Sequence, residues 1–583
     1  MGLESLIVDH IDQDELQHKQ KLPDLDRDSH SDTDTTTSND NSNSNSNSNS
    51  NSNSNSNKQQ PFQSHLPRIQ FDFGPESQDY TLLRQGRQEA VKTAFLHGWN
   101  GYKKYAMGHD ELKPLTNSTN NPFGHWGATL IDSLSTMSIM GLDKEFLDAL
   151  PEVQKVDFQL DGNIIVFEAI IRYMGGLLSA YELSGQQHDL LIQKAHQLGK
   201  TLSPSFNTPT GLFPHQWNPS SHGPPDKGVL VADLSMHLEL FTLSYHTKDW
   251  SFATKAQAIT NFMEKMDVEH GLHIPGLYPT GINIYTGQFT DGVCRLGAMG
   301  DSWFEYLLKH YLLVDGTMTQ YSRMYLESTD AIKKHVLSHI PGNDMIFVPP
   351  FDTLSKSKHI TMDHLSCFVP GMLALGSKTF DVPEDLMIAK GTLEACMHLY
   401  RTSDTGLGAE MWSFTGAEPY DRLVYQDTVN QLDNNNNKPF SQQRPIHHDP
   451  DYKLPPRPSR VDQVRVIDGK YHLRPETLES LFVLYRITGD QKYQEYGWEI
   501  FKAIEKHCKT SSGYAAVSNV DRNTADSGQA HENQMDSMES FLFAETFKYL
   551  YLLFSPPDVI SLDHYVFNTE GHPMRRRHWT RKD

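Results

Sequence analysis

Acidic side chains within otherwise apolar, helix-forming segments are the residues of this chain best suited to chemistry. In L-R-P-E-T-L-E-S at 473–480, Glu476 and Glu479 stand three residues apart at a predicted helix start, and Arg474 precedes them. Pro475 suits a first helical turn, so both carboxylates are expected on one face near the positive end of the helix dipole. An ordinary helix start with acidic residues in its first turn has the same pattern.

Two further segments carry acids in the same setting. Glu168 and Arg172 are the charged residues of I-I-V-F-E-A-I-I-R at 164–172. Their four-residue spacing fits either a buried ion pair or a carboxyl held in a cavity with its acidity tuned by its neighbours. Asp301 and Glu305 have the same spacing at an aromatic-rich helix start, where a simple N-cap is the alternative interpretation of Asp301.

The remaining acids lie in two other apolar segments. Asp363 and His364 precede L-S-C-F-V-P-G, where a helix cap or a packed core histidine is the alternative interpretation. Glu545 is expected to pair with Lys548 or to face solvent, whereas Glu539 is harder to place outside the core. Acids contributed by successive helices would project into one cavity of a helical toroid. Such a cavity suits general acid and base catalysis on a glycosidic bond and the binding of a hard cation such as Ca²⁺.

The elements that must position these acids are helices, mostly in pairs. Apolar periodicity predicts helices at 83–106, 127–141, 164–185, 188–204, 231–246, 249–266, 298–314, 317–338, 363–376, 384–402, 473–488, 490–507 and 535–554. Segments rich in Gly, Pro and aromatic residues lie between the pairs and indicate short strands or hairpins. The series predicts one all-α toroid with an inner ring of helices. An open solenoid is the alternative, but no fixed repeat period is visible.

Composition sets the domain limits. Residues 1–65 are polar and include an Asn-Ser alternation at 41–57, so they bury too little apolar surface to fold and are predicted to form a disordered leader. A catalytic domain is predicted at 80–575, with a polar surface insertion at 426–462. The adjacent His447 and His448 in that insertion are expected to be solvated rather than metal-bound.

Several classes of function are disfavoured. The net charge of −22 over 583 residues argues against nucleic acid or an anionic membrane as a partner. Neither a phosphate-binding glycine loop nor a dinucleotide fingerprint occurs. No recognisable signal peptide and no apolar run long enough to span a bilayer is visible. The sequon at Asn117 would be a glycan acceptor only in the secretory pathway, and four scattered cysteines leave one disulfide open.

Eight long stretches resemble the class I α-1,2-mannosidases, family 47 of the glycoside hydrolases. They are F-L-H-G-W-N-G-Y-K-K-Y-A-M-G-H-D-E-L-K-P-L (95–115), G-A-T-L-I-D-S-L (127–134), V-F-E-A-I-I-R-Y-M-G-G-L-L-S-A-Y (166–181), G-D-S-W-F-E-Y-L-L-K (300–309), D-H-L-S-C-F-V-P-G (363–371), L-R-P-E-T-L-E-S (473–480), M-E-S-F-L-F-A-E-T-F-K-Y-L (538–550) and F-N-T-E-G-H-P (567–573). The resemblance implies an (α/α)₇ barrel with short β-hairpins. It also implies inverting removal of terminal α-1,2-linked mannose from high-mannose N-glycans. A mannose-binding quality-control lectin of the same fold, with weak turnover, is the alternative.

The resemblance also implies roles for individual residues. Glu168 matches the acid that protonates the leaving oxygen through a water. Asp301 and Glu476 match acids around the nucleophilic water, with Glu476 the favoured base, and Glu410 matches a further active-site glutamate. The residues that match the lining of the sugar site are Arg172, Glu305, His364, Arg474, Glu479, Glu539 and Glu570.

A cation and a compartment follow from the same resemblance. Thr569 matches the direct protein ligand of a Ca²⁺ ion, through its hydroxyl and carbonyl oxygens. Cys367 and Cys396 match a family disulfide, which implies an oxidising lumen such as that of the endoplasmic reticulum or Golgi. Met299 stands where the endoplasmic-reticulum subgroup carries an Arg, which favours the Golgi-like or fungal type with broader trimming.

Overall fold

The computed structural model describes residues 64–221, 227–434, 445 and 447–579. Most of the predicted leader, 1–63, lies outside these residues. Its last two residues are described, and both contact Asp315: the Ser64 hydroxyl donates to Oδ1 at 2.5 Å and the His65 backbone N–H to Oδ2 at 2.9 Å. The described chain therefore begins with residues that are hydrogen-bonded to the folded domain.

Every predicted helical segment contains a helix. The helices are α1 (Gln78–Tyr105), α2 (Ala128–Met140), α3 (Asp143–Lys155), α4 (Val166–Glu168, π-helical Ala169–Met174 and Gly175–Leu183), α5 (Asp189–Leu202), α6 (His237–Thr247), α7 (Ser251–Glu264), α8 (Asp301–Leu313), α9 (Thr319–Ala331, continued by π-helical Ile332–Val336), α10 (Val369–Phe380), α11 (Pro383–Thr402), α12 (Arg422–Asn434), α13 (Glu476–Thr488), α14 (Lys492–His507) and α15 (π-helical Leu542–Thr546 and Phe547–Leu553).

These helices form two concentric rings. The inner ring runs α2, α4, α6, α8, α10, α13 and α15, each contacting the next, and α15 returns to α2. Each inner helix also packs mainly against one outer helix, in the order α3, α5, α7, α9, α11, α14 and α1. The prediction of an (α/α)₇ barrel is therefore confirmed, and the open solenoid is excluded by the closed ring.

The burial pattern of the helices explains which ring each one joins. In the outer helix α5 the buried residues Leu191, Ala195, Leu198 and Leu202 recur every three or four positions, which gives one apolar stripe and a solvated opposite face. In the inner helix α2, every residue from 128 to 137 is buried. Because an inner helix is covered on all sides, any charge that it carries must be paired or must face the central cavity.

Two helices were not predicted from the sequence. Helix α3 completes the outer ring; its buried residues Phe146, Ala149 and Val153 recur every three or four positions, but Pro151 stands inside it, and a proline argues against a helix in a sequence. Helix α12 starts before the predicted insertion and runs into it, and the following residues 435–444 and 446 lie outside the described chain.

The end of the insertion packs against the N-terminal segment. His447 Nδ1 lies 2.7 Å from the Gly489 carbonyl, and its ring stacks on Phe71. The ring of His448 lies 4.6 Å from that of Tyr80 and is half-buried. The expectation that both histidines are solvated is wrong for His448, because tertiary docking supplies an aromatic surface that the local sequence does not reveal.

The strands are short and lie in the loops between helices. They are β1 (Glu111–Lys113), β2 (Ser118–Asn120), β3 (Ile164–Ile165), β4 (Gln216–Trp217), β5 (Gly228–Leu230), β6 (Gly281–Asn283), β7 (Val293–Cys294), β8 (Ser338–His339), β9 (Ile346–Phe347), β10 (Phe351–Asp352), β11 (Ser357–Lys358), β12 (Thr361–Asp363), β13 (Met411–Phe414), β14 (Glu418–Pro419), β15 (Val464–Asp468), β16 (Ala516–Val517), β17 (Gln534–Met535), β18 (Tyr565–Phe567) and β19 (Pro573–Arg575). All the paired strands are antiparallel.

The hairpin of β18 and β19 lies against the inner ring. Strand β18 contacts α8 and strand β19 contacts α4, so the hairpin loop at 568–572 reaches the inner helices. Gly175 in α4 permits this approach, because a Cβ at that position would lie 2.6 Å from Nδ2 of Asn568. The loop that carries Thr569 is thereby fixed against helices that carry acids.

The four cysteines form one disulfide and two free thiols. Cys367 and Cys396 are bonded, which confirms the predicted pair, and Cys294 and Cys508 are buried and free. Within the described ranges, none of the helices combines the length and apolar character needed to cross a bilayer.

Candidate active site

The hairpin loop that carries Thr569 is held by hydrogen bonds to two inner helices. Tyr306 of α8 accepts the Thr569 backbone N–H at 3.2 Å and donates to Oε1 of Glu239 at 2.7 Å. The same Glu239 oxygen accepts the side-chain N–H of Asn568 at 2.8 Å. These bonds fix the loop, while Thr569 itself stays partly accessible.

Four glutamates surround this part of the inner ring: Glu305 from α8, Glu479 from α13, Glu545 from α15 and Glu570 from the loop. Lys309 forms ion pairs with Glu305 and with Glu479, the latter at 3.1 Å. Burial, followed by repulsion from Glu570 and Glu479, raises the pKa of Glu545 well above its usual range. Burial likewise raises the pKa of Glu305, although the Lys309 ammonium opposes the shift. If all four glutamates were ionised, they would carry more negative charge than Lys309 and Arg172 neutralise.

This cluster fits a hard cation. Carboxylate, hydroxyl and carbonyl oxygens are the donors that Ca²⁺ prefers, and Thr569 and the glutamates supply all three kinds. Oε2 of Glu239 is buried beside the loop and has no hydrogen-bond partner among the described residues. An acid-rich cavity with repelling carboxylates and an unused buried acceptor is chemically suited to a divalent cation.

Glu476 is the acid that the structure equips best to act as a base. Its Oε2 lies 2.7 Å from His364 Nδ1, and its Oε1 lies 3.8 Å from the Arg474 guanidinium. Burial by itself would raise the pKa of Glu476, but the His364 hydrogen bond and the Arg474 charge outweigh burial and lower it. Glu476 is therefore ionised at neutral pH, as a proton acceptor must be.

Asp301 begins α8 on the same side of the barrel. Its Oδ1 accepts the backbone N–H of the adjacent Ser302 at 2.8 Å. The N-cap of α8 is Gly300, so the interpretation of Asp301 as a simple N-cap is wrong. Burial, with smaller contributions from Asp363 and Glu476, raises the pKa of Asp301 to about 7. Asp301 thus exchanges a proton near neutral pH, unlike Glu476.

Glu168 shares an arginine with the glutamate cluster. Arg172 Nε donates to Oε2 of Glu168 at 2.7 Å, and its Nη1 pairs with Glu570 and donates to the Ser540 hydroxyl at 3.2 Å. The guanidinium also lies 4.4 Å from the centre of the Phe123 ring. The ion-pair interpretation of Glu168 is confirmed, and its carboxyl remains partly exposed towards solvent, while its role as a site carboxyl stays a prediction.

The other predicted site residues lie around this group. The two carboxylate oxygens of Glu410 accept the Arg474 Nε–H at 2.8 and 2.9 Å. Arg474 therefore lies between Glu410 and Glu476. Glu539 is further out, where it accepts the Ser537 hydroxyl at 2.6 Å and lies 3.9 Å from His472. Glu476 is also in electrostatic contact with Glu545, which links the predicted base to the glutamate cluster.

Sequence reasoning misplaced one acid and missed three. Glu545 was expected to pair with Lys548 or to face solvent, but it is buried in the cluster, while Lys548 donates to the Gly571 carbonyl at 2.6 Å. Glu239, Glu111 and Asp132 were not predicted. Glu239 lies in the apolar run H-L-E-L-F, so the signal that singled out Glu168 was present there too.

The other two missed acids hold the surroundings of the site. Glu111 Oε1 accepts the Ser540 backbone N–H at 3.2 Å, and burial raises the pKa of Glu111 to about 8. Asp132 Oδ1 lies 3.2 Å from His572 Nε2 beneath the loop. Both acids are placed at the site by contacts between distant segments of the chain, and no local sequence pattern predicts such contacts.

A separate group of potential metal ligands joins the two ends of the described chain. His65, Asp315 and His578 have ligand atoms within 4.8 Å of one another. Asp315 Oδ1 already receives the Ser64 hydroxyl and the Arg576 guanidinium, and Oδ2 receives the His65 backbone N–H. Both carboxylate oxygens of Asp315 are engaged, and the Arg576 guanidinium supplies the positive charge. We therefore interpret this group as a hydrogen-bonded contact between the two ends of the described chain, rather than as a metal site.

Comparisons with known proteins match this geometry. A family model described as glycosyl hydrolase family 47 matches residues 94–576. The human "Endoplasmic reticulum mannosyl-oligosaccharide 1,2-alpha-mannosidase" is 38% identical over 509 residues, which cover 84% of this chain and 64% of that protein. The human "Mannosyl-oligosaccharide 1,2-alpha-mannosidase IB" is 34% identical over 520 residues, covering 86% of this chain and 71% of that protein.

A solved structure of a mannosidase also matches this chain. The alpha-1,2-mannosidase from Trichoderma reesei matches with a TM-score of 0.72 at 27% identity, covering 85% of this chain and 99% of that chain. The chain spans slightly less than two thirds of the human endoplasmic-reticulum relative, so the shared part is the barrel rather than that whole protein. Since the family match covers nearly the whole barrel, this chain belongs to glycosyl hydrolase family 47.

Proposed function

We propose that this protein is a Ca²⁺-dependent, inverting α-1,2-mannosidase that removes terminal mannose from high-mannose N-glycans. The observation that carries the proposal is the ionised Glu476, which is held by His364 and Arg474 and is in electrostatic contact with Glu545 of the acidic cluster. Arg172 joins Glu168 to Glu570 of the same cluster. The printed names of the relatives, mannosyl-oligosaccharide 1,2-alpha-mannosidases, support the choice of substrate.

The proposed roles follow from the contacts. Inverting glycosidases need one carboxyl group to protonate the leaving oxygen and another to remove a proton from the attacking water. Glu476 takes the proton from the water, because its pKa is lowered and it is ionised. Glu168 delivers a proton to the leaving oxygen through a water, and Arg172 holds its carboxyl in place. Asp301, with its pKa near 7, hydrogen-bonds the attacking water.

The remaining residues bind the sugar and the cation. Thr569 would hold Ca²⁺ directly, and waters held by Glu305, Glu479, Glu545 and Glu570 would complete its shell. When bound, the ion supplies positive charge to sugar hydroxyls and helps to distort the mannose ring. Arg474 and Glu410 form an ion pair that lines the same cavity, and Glu539 lies at its outer side.

The test is the incubation of purified protein with a high-mannose glycan, with Ca²⁺ or with excess chelator. We expect free mannose with inverted anomeric configuration in Ca²⁺ and none with chelator. No release in Ca²⁺ would contradict the hydrolase proposal, and glycan binding without release would support the lectin of the same fold. Release that persists in chelator would contradict the calcium requirement alone.

We infer that the enzyme works in an oxidising lumen, because Cys367 and Cys396 form a disulfide. Asn117, in the one sequon of the sequence, provides a test. It lies exposed in the turn between β1 and β2, with a backbone φ of 56°. An exposed turn leaves room for a glycan and for the enzyme that attaches it.

When the full chain is expressed in a eukaryotic cell, we expect a glycan on Asn117. Removal of N-glycans by an endoglycosidase should increase the electrophoretic mobility of the wild-type protein and of Thr119→Ser, which keeps the sequon. Asn117→Gln should show no change. A wild-type chain that is unmodified and fractionates with cytosolic markers would contradict the lumenal assignment.

A further inference from the structure

A buried tyrosine stands behind the proposed base. The Tyr400 hydroxyl lies 2.7 Å from His364 Nε2, and His364 Nδ1 lies 2.7 Å from Oε2 of Glu476. We propose that Tyr400 is a positioning residue for the reaction: it fixes the tautomer of His364, and His364 in turn orients Glu476 and keeps it ready to accept a proton. The inference deepens the proposed function and rests on the assignment of Glu476 as the base.

The tautomer of His364 can be inferred from the hydrogen-bond donors and acceptors of Tyr400, His364 and Glu476. An ionised carboxylate can only accept hydrogen bonds, so His364 Nδ1 must carry the proton that points to Glu476. If the imidazole is neutral, its Nε2 then has a lone pair, which needs a donor because His364 is only 1% exposed. The Tyr400 hydroxyl, 2.7 Å away, is placed to be that donor. Without it, the opposite tautomer would turn a lone pair of Nδ1 towards the carboxylate.

Two features hold Tyr400 in this position: a disulfide and a glycine that faces its ring. Tyr400 lies on α11 four residues after Cys396, and His364 lies three residues before Cys367 on the short 3₁₀ turn His364–Phe368. The disulfide therefore links the two elements within one turn of the tyrosine–histidine hydrogen bond. Gly408 makes room for the ring, because a Cβ there would overlap it.

Ordinary packing does not account for this arrangement. A buried tyrosine of this barrel can bond its hydroxyl to a backbone carbonyl, as Tyr325 does with Met372 at 3.4 Å. Tyr400 instead bonds an imidazole whose second nitrogen contacts a site carboxylate. Tyr400 is 2% exposed and so acts through its neighbours, of which His364 is the one hydrogen-bonded to the proposed base.

The other charges around Glu476 limit how far the loss of the Tyr400 hydroxyl can change the ionisation of Glu476. Arg474 lies 3.8 Å from Oε1 and favours the ionised form, while Asp301 and Glu545 repel it. Weakening the His364 hydrogen bond leaves the arginine and the two acids in place. The expected effect is therefore a partial loss of the ionised base, not a loss of the site.

Tyr400→Phe keeps the ring and removes the hydroxyl. We expect kcat to fall roughly 2- to 12-fold, the value of one hydrogen bond, with KM nearly unchanged. The acid limb of the kcat/KM profile should move upward by a few tenths to about one pH unit, because a less stabilised carboxylate binds protons more tightly. Tyr325→Phe, which also removes a buried hydroxyl, should leave both quantities as in the wild type.

A double-mutant cycle separates positioning from general packing. In His364→Asn, the amide nitrogen can still donate to Glu476 but needs no help from Tyr400. Adding Tyr400→Phe to that variant should therefore cost nothing further. The inference would be overturned if Tyr400→Phe lowered kcat equally in the wild type and in His364→Asn, or if it left the acid limb of the pH profile unmoved. In either case, mannose release by the wild type would leave the proposed function intact. A wild-type protein that releases no mannose would instead remove the proposed function, and this inference with it.

Discussion

Glu476→Gln and Glu168→Gln are each expected to lower mannose release by about 10²- to 10⁴-fold, the usual contribution of a general base or acid. Gln has nearly the same size as Glu, and its amide oxygen can still accept the hydrogen bonds from His364 and Arg172. It cannot take a proton from water or give one to a leaving oxygen. The loss should therefore appear in kcat, with glycan binding and the fold retained.

Initial rates with a high-mannose glycan, together with circular dichroism of each variant, check this prediction. Glu418→Gln is a matched control, because Glu418 is exposed on β14 and contacts none of the site residues. A variant that retains the wild-type rate would remove that residue from its proposed role. Loss of rate accompanied by loss of helical signal would instead show that the residue is structural.

The barrel could be predicted because its helices have strong signals. The inner helix α2 is rich in Leu, Ile and Met, and the outer helix α5 has a regular apolar stripe, so both have a signal in the single sequence. Helix α3 has the same kind of spacing at Phe146, Ala149 and Val153, but Pro151 inside it argues against a helix when the sequence is taken alone. Its place in the ring depends on packing against α2, which is a tertiary property.

The site was predictable where a charge interrupts an apolar helix, as at Glu168 and Glu305. Such a charge must be paired or must face a cavity, and both residues do lie beside cations. Glu545 looked the same, but the nearby Lys548 suggested a local pair that the barrel does not form. Hydrogen bonds between distant segments, such as Tyr400 to His364, have no local signal and require the fold.

The second large effect is expected from the cation. Ca²⁺ at about 100 times its Kd should raise the free energy of unfolding of the wild type by about 2.7 kcal/mol, because the ion binds only the folded cluster. Thr569→Val removes the hydroxyl oxygen from the loop and should abolish most of this gain, together with turnover. The measurement is the unfolding midpoint in urea with and without Ca²⁺, which does not depend on activity. Thr415→Val, at an exposed position, is the matched control.

The pH dependence of this stabilisation has a definite sign. A cation needs ionised carboxylates, and burial raises the pKa of Glu305 to about 8 and that of Glu545 well above its usual range in the absence of a cation. Protons therefore compete with Ca²⁺, and the calcium-induced gain should shrink as the pH falls from about 8 towards 6. An equal gain in Thr569→Val, or a gain that grows as the pH falls, would contradict a calcium site made of this loop and these glutamates.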